Sequence, residues 1–235
     1  MNNKYKHMKN LFYKIGIAVA FIFSFQNSIN AQNFKEDILK VTEKFQNANF
    51  KMEVQMKEIH WNNVTQPIVV KGEVKRKGDN YFTDFADQIN MINDKFQLVV
   101  YKNEKKIIYL KIKDYKKEEM TNNTQMLPDE KMFNKDVKLI SNDESGKEYE
   151  IPNPMPGITK MKLKITKDNI LQEVKYLYEK MEGNPVKEIV ITYSKIVFNP
   201  IFSSSEFSES IFFKIVNNQP VPTLKYKDYA LINAN

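Results

Sequence analysis

The stretch Phe50-Lys51-Met52-Glu53-Val54-Gln55-Met56-Lys57 decides how the chain is read. Phe50, Met52, Val54 and Met56 fall on one side of an extended backbone, and Lys51, Glu53, Gln55 and Lys57 on the other. That is the period of a half-buried strand, with the even side as core. The pattern returns three times before residue 112. Ile68, Val70 and Val74 oppose Lys71, Glu73, Lys75 and Lys77; then Phe96, Leu98 and Val100, and Ile108, Leu110 and Ile112, alternate with their neighbours. An aromatic strand, Tyr81-Phe82-Thr83-Asp84-Phe85, lies between the second and fourth of these segments. Asn62-Asn63 and Gly78-Asp79-Asn80 supply turns. The sum is an antiparallel meander, apolar on one side and wet on the other.

Upstream, residues 33–45 place Phe34, Ile38, Val41 and Phe45 at helical spacing. This predicts one amphipathic helix packed on the even face of the meander. Downstream, strands are expected at 137–140 and 147–151, whereas Pro152-Asn153-Pro154-Met155-Pro156-Gly157 forbids regular structure. Further strands are expected at 161–165, 170–178 and 186–198. The last has few polar interruptions and reads as covered on both faces. Residues 206–216 match no period, and 224–232 read as a closing strand. Residues 115–135 break the alternation. They are read as a loop carrying a short helix near Pro128, either a lid over one end of the sheet or an ordinary long connection.

The fold class is therefore mainly β with α caps. Ten or eleven strands form a curved antiparallel sheet, an incomplete, half-open barrel covered by one or two helices.

The N-terminus carries Lys4, Lys6, Lys9 and Lys14 ahead of the apolar run 15–25, with Ala31 closing the polar residues that follow. The run is shorter than the roughly 20 apolar residues of a spanning helix. It reads as a secretory signal over 1–31, with an uncleaved anchor as the alternative, and leaves 32–235 as a single domain without a transmembrane segment. There is no cysteine, which rules out a disulfide framework and a lipidated N-terminal cysteine. The net charge of +7 falls without the signal to 32 basic against 29 acidic residues, or +3, and Arg76 is the sole arginine. Nucleic-acid readers lean on arginine for base and phosphate contacts, so an exported chain with a single arginine is expected to have no nucleic-acid partner.

Chemistry is sparse. After the signal only His60 remains, and with no cysteine the usual nitrogen and sulfur zinc site is not assembled. His60 beside Trp61 reads as structural. The pairs Glu118-Glu119 and Asp143-Glu144 sit in polar loops without calcium-loop order. None of the six glycines builds a phosphate-cradling loop or a nucleophile elbow. No enzyme, metal or cofactor is expected. Arg76 is less ordinary, since it falls on the apolar side of its strand with Val70 and Val74. There it either meets the polar head of a lipid or acyl group or snorkels from the strand end into water.

Gly72-Glu73-Val74-Lys75-Arg76 followed by an aromatic strand, Asn93-Asp94-Lys95, and a strand ending at Tyr101 before a charged turn together resemble the periplasmic outer-membrane lipoprotein carriers (LolA-like). The run 189–193 through Phe207 is similar to that family's late strand and following phenylalanine. The resemblance implies an incomplete barrel closed by helices over an apolar cavity, carrying lipoprotein acyl chains across the periplasm. It also maps the family's Lys-Arg pair, whose arginine lies in the cavity, onto Lys75 and Arg76. The chain departs from the family pattern at Lys77, at Lys95 and at Leu98 or Val99, which replace a proline, a glycine and a tryptophan. The expected function is a soluble periplasmic carrier or chaperone for lipoprotein acyl chains or another apolar ligand. Arg76, Tyr81, Phe85, Phe96, Val54, Val70, Leu98 and Leu110 are its ligand-binding candidates. A lipoprotein or other lipid is the expected ligand, envelope transport proteins the expected partners, and a monomer the expected state. The alternative is a non-enzymatic envelope interaction module whose sheet is filled by its own side chains.

Overall fold

The computed structural model describes residues 32–62, 65–112 and 137–234. The expected signal and the loop 115–135 lie outside them. Among the described residues are an α-helix, α1 (Gln32–Gln46), and fourteen strands. The N-terminal strands are β1 (Phe50–His60), β2 (Ile68–Lys77), β3 (Asn80–Phe85), β4 (Gln88–Ile92), β5 (Phe96–Tyr101) and β6 (Lys106–Lys111). Then come β7 (Lys138–Asp143), β8 (Gly146–Met155), β9 (Ile158–Ile165), β10 (Leu171–Tyr178) and β11 (Val186–Phe198). The C-terminal segment holds β12 (Phe213–Val216), β13 (Gln219–Pro222) and β14 (Ala230–Asn233), with 3₁₀ turns η1 (Glu209–Ile211) and η2 (Leu224–Tyr226). The expectation of a mainly β chain built on a large antiparallel sheet is met. Twelve strands order as β14-β6-β5-β4-β3-β2-β1-β11-β10-β9-β8-β7, and the described strands do not close into a barrel. No described helix is long and apolar enough to cross a membrane.

The residues group into two compact units, with β1, β2 and β11 divided between them. The first comprises, of the described residues, 32–47, 56–62, 65–69 and 137–193. Its antiparallel register stacks Tyr149, Leu163, Val174 and Ile191 in one row and Ile151, Met161, Tyr176 and Ile189 in the next. All eight are buried, as are Phe34, Ile38, Val41 and Phe45, the predicted apolar stripe of α1. The helix is fixed on β8, in the C-terminal half of the chain, where the sequence suggested the N-terminal meander. Phe34 meets Tyr149 edge-on at 4.9 Å. The buried Asp37 carboxylate accepts from Lys147 Nζ at 2.7 and 3.0 Å and from the Tyr149 hydroxyl. A carboxylate accepting three hydrogen bonds, two of them from an ammonium, is not left uncompensated in the core.

Three expectations for this half need correction. Strand β8 runs through the proline cluster to Met155, because the register shifts between Pro152 and Met155, with Asn153 at φ +42°. The bulge lets prolines sit where no ladder donor is required. Strand β11 alternates rather than being covered on both faces, with Ile189, Ile191 and Tyr193 buried and Glu188, Val190 and Thr192 between them half-buried. Val190 and the run Ile196-Val197-Phe198, apolar in both parities, hide the period in sequence. Residues 224–232 hold η2 and only a short β14, which pairs parallel to β6, Ile232 opposite Ile108.

The second unit comprises, of the described residues, 48–55, 70–112 and 194–234. Its strands β2 to β6 form a meander in continuous register, so each face can be read as rows. One face carries Lys75, Phe82, Met91, Leu98 and Tyr109, then Glu73, Asp84, Ile89, Val100 and Ile107. The C-terminal segment covers it. Phe207, Phe212, Phe213 and Tyr226 join those apolar side chains in one buried cluster. Phe213 packs edge-on to Phe96 at 5.4 Å and lies 5.2 Å from Tyr109. Asn93 pins this cap to the β4–β5 turn: its amide donates to Phe207 O at 2.9 Å and to Glu209 Oε2 at 3.0 Å. Its side-chain oxygen accepts from the backbone of Lys95 and Phe96. The strand at β4 was not anticipated, since the β3–β4 turn at Ala86-Asp87 has no glycine although Ala86 sits at φ +53°.

Candidate functional site

The second face of β2–β6 lies opposite the cap. Its rows are Arg76, Tyr81, Ile92, Gln97 and Leu110; Val74, Thr83, Asn90, Val99 and Ile108; and Gly72, Phe85, Gln88, Tyr101 and Lys106. Val74 and Phe85 are buried, while the other large side chains are half-buried. Gly72 is required there. A Cβ on it would stand 2.2 Å from Asp84 O and 2.8 Å from the Phe85 ring, so glycine is what lets Phe85 lie across β2.

The eight sequence candidates divide between the two sides. Arg76, Tyr81, Phe85, Val70 and Leu110 share the uncapped face. Phe96 and Leu98 are buried on the opposite face under the C-terminal segment. Val54 is buried in β1. The structure thus brings five of the eight together and separates two from them. Leu110 belongs to a half-buried set with Ile108, whereas the buried residues of β6 are Ile107 and Tyr109, one position out of phase with the expected core.

Arg76 and Tyr81 are directly opposed across β2 and β3. The Arg76 guanidinium donates from Nε to Gly78 O at 3.0 Å, which turns it toward the hairpin end. Burial pushes the Tyr81 phenol well above the ordinary tyrosine range, and the Arg76 charge pulls in the other direction. A cation and a desolvated hydroxyl therefore stand at one end of a face whose middle rows carry Val74, Val99 and Ile108. Thr83, Asn90 and Gln88 satisfy one another there, Gln88 Nε2 donating to Asn90 at 2.9 Å and Asn90 Nδ2 to Thr83 at 3.2 Å. This arrangement offers an apolar platform with a hydrogen-bonding head, and no nucleophile, base and orienting group in line.

The capped side holds a feature the sequence reading missed. A cavity of about 290 Å³ opens between the sheet and the cap, lined by Glu73, Lys75, Phe82, Asp84, Glu206 and Tyr226 among others. Lys75 bridges Glu73 at 3.1 Å and Glu206 at 3.3 Å, and lies 5.2 Å above the Phe82 ring. Burial alone lowers the Lys75 pKa, but the Glu73 and Glu206 carboxylates together outweigh it and hold the ammonium above its ordinary value. Asp84 is held by Lys102, which also donates to Ala86 O at 3.0 Å. The signal in sequence was Phe82, an apolar ring whose position opposite the lysine side of β2 contradicts a simple wet outer face.

His60 pairs with Glu58 at 2.7 Å at the end of β1. Among the described residues no three His, Asp or Glu side chains are grouped to hold a metal ion.

No family model matches the chain, and no curated protein does. Solved structures do. An uncharacterised conserved protein from Thermus thermophilus is 10% identical with a TM-score of 0.47, over 86% of this chain and 99% of that one. A LolA superfamily protein from Nitrosomonas europaea is 12% identical with a TM-score of 0.33, over 78% and 99%. A lipoprotein of Mycobacterium tuberculosis, LppX, is 9% identical with a TM-score of 0.35, over 72% and 96%. LolA-superfamily structures are thus among those this chain is similar to, at TM-scores below 0.5.

Proposed function

We propose that the chain is a carrier without catalytic activity that holds an acyl chain or another apolar ligand against the uncapped face of β2–β6. Arg76 and Tyr81 meet the ligand's polar head, and Val99, Ile108 and Leu110 its apolar body. The supporting observation is the asymmetry of the strands. The cap buries the apolar side chains of one face, while the other leaves a row of half-buried side chains ending in an opposed Arg76 and Tyr81. Binding needs no chemistry beyond hydrogen bonds from the guanidinium and burial of a chain. The reading includes export to the periplasm after loss of residues 1–31, a single domain over 32–235, a lipoprotein or other lipid as cargo, and envelope transport proteins as partners.

The test is saturable uptake of a fluorescent fatty acid by the full chain. Arg76→Leu should weaken binding about tenfold, the value of one charge-assisted hydrogen bond. Val99→Asp, on the same face, should also weaken it. No saturable uptake, or uptake indifferent to both substitutions, would overturn the carrier. It would favour the second reading, an envelope interaction module with a self-packed sheet. The capped face supports that reading, since Met91, Val100, Ile107 and Phe213 retain no exposed surface.

A further inference from the structure

The segment 213–227, Phe-Lys-Ile-Val-Asn-Asn-Gln-Pro-Val-Pro-Thr-Leu-Lys-Tyr-Lys, holds three lysines and no carboxylate, in a chain whose other 33 basic residues face 29 acidic ones. It folds as the separate two-stranded sheet of β12 and β13, followed by η2. Phe213, at its base, is buried in the cap cluster, and Thr223 ties the other strand end to the cap through bonds to Phe212 O and Ile211 O at 2.9 and 3.0 Å. The turn residues Asn217 and Asn218 both have positive φ, +49° and +63°, the requirement of a tight two-residue hairpin whose twist matches its strands. The hairpin is therefore preorganised.

Apart from the buried Phe213 and Tyr226, its large apolar residues stay exposed. The register sets Ile215 with Pro220 on the side of Phe213, and Val216 and Val221 with Lys214 on the other. Ile215 is 48% exposed, Val216 50%, Val221 46% and Leu224 85%. Single exposed hydrophobes are ordinary. Three on the two sides of a two-stranded ribbon, with Leu224 following in η2, form a cluster that one protein surface covers on one side only. An apolar medium covers both. Lysines flanking such residues, with no carboxylate among them, complement anionic headgroups.

We propose that the β12–β13 hairpin and η2 form an interfacial anchor that docks on an anionic lipid bilayer. Ile215, Val216, Val221 and Leu224 enter the headgroup and acyl boundary, and Lys214, Lys225 and Lys227 lie at the phosphates. Docking does not depend on whether the uncapped face takes a ligand.

The chain contains no cysteine, so a Gln219→Cys substitution gives one labelling site beside the tip. An environment-sensitive fluorophore there should shift to the blue with vesicles of phosphatidylcholine and phosphatidylglycerol. The same probe at Lys180→Cys, an exposed site in the β10–β11 connection, should not. This local readout separates the hairpin from any membrane affinity of the apolar run 15–25. Ile215→Ser with Val216→Ser should lower the vesicle partition coefficient read at Gln219→Cys by about tenfold or more, the scale of two lost aliphatic burials. The triple substitution Lys214→Gln, Lys225→Gln and Lys227→Gln should remove the preference for phosphatidylglycerol over pure phosphatidylcholine. The side chains replaced in both variants are exposed, so folding is spared. No shift at Gln219→Cys on anionic vesicles, an equal shift at Lys180→Cys, or a partition untouched by the serines would each overturn the anchor and leave the patch to a protein groove.

Discussion

The two faces of β2–β6 share one backbone and differ in what they meet. On the capped face Phe96, Leu98, Tyr109 and Phe213 interlock, and every large apolar side chain loses nearly all contact with solvent. On the other, Arg76, Tyr81, Thr83, Asn90 and Leu110 mix polar and apolar groups that remain half-buried. Close packing carries stability, whereas a surface for a guest must leave its own side chains incompletely covered. On the proposed reading the first face carries stability and the second recognition, and Phe96 and Leu98 lie on the first.

The comparison predicts unequal costs. Phe213→Ala removes a fully buried ring in contact with Phe96 and Tyr109, and should cost about 3–5 kcal/mol in chemical denaturation. A loss as small as that expected at an exposed site would mean the cap is not the core of its unit. On the opposite face the sensitive position is backbone. Gly72→Ala forces a methyl to within 2.2 Å of Asp84 O, and should cost roughly 1–3 kcal/mol by overpacking. It should also lower fatty-acid uptake, because Phe85 must leave its place. Unchanged stability and unchanged uptake would show that β2 and β3 separate easily there, and would weaken the platform itself.

Much of the fold was legible where one parity alone was apolar. Phe50, Met52, Val54 and Met56 in β1, and Phe96, Leu98 and Val100 in β5, are buried as the alternation requires. The helix stripe Phe34, Ile38, Val41 and Phe45 is buried too. Strand β6 was misread because Ile107, Ile108, Tyr109 and Leu110 are apolar in both parities, and only the cap decides which side is core. The cap itself was illegible. Phe207, Phe212 and Phe213 follow no period because they sit around a 3₁₀ turn, capped when the Ser208 side chain accepts from the Ser210 backbone, and are placed by contacts with strands over a hundred residues away. Of the candidate site, Arg76 is read from strand parity and Tyr81 as an aromatic of the strand that follows, and the two stand opposite each other across β2 and β3. The Lys75 cleft left one trace, the Phe82 ring opposite the lysine side of β2, but a lysine on the polar side of a strand does not itself say that another segment will fold over it.

The smallest effect discriminates most finely between the faces, because it concerns how the cap is fastened. Glu206 sits in the cap and Glu73 on β2, with Lys75 between them. Glu206→Gln removes one half of that bridge and should cost about 0.2–1 kcal/mol at pH 8, as part-exposed ion pairs do. The pH dependence identifies the cause. Lys75 has a raised pKa in the fold, so its contribution is full below its unfolded value of about 10.4 and is lost as pH rises through the folded one. Tyr226 in the same cleft is raised by burial, then by Tyr229 and Asp84, against Lys102, and its linkage has the same sign from about pH 10 upward. The parent protein should therefore weaken in strongly alkaline solution. The gap between parent and Glu206→Gln should close there, because a neutral Lys75 no longer distinguishes glutamate from glutamine. Unfolding midpoints measured at neutral and alkaline pH provide the check. A gap that stays constant would mean that Glu206 holds the cap through packing, and that the ion pair across the cleft contributes nothing to the difference between the two faces.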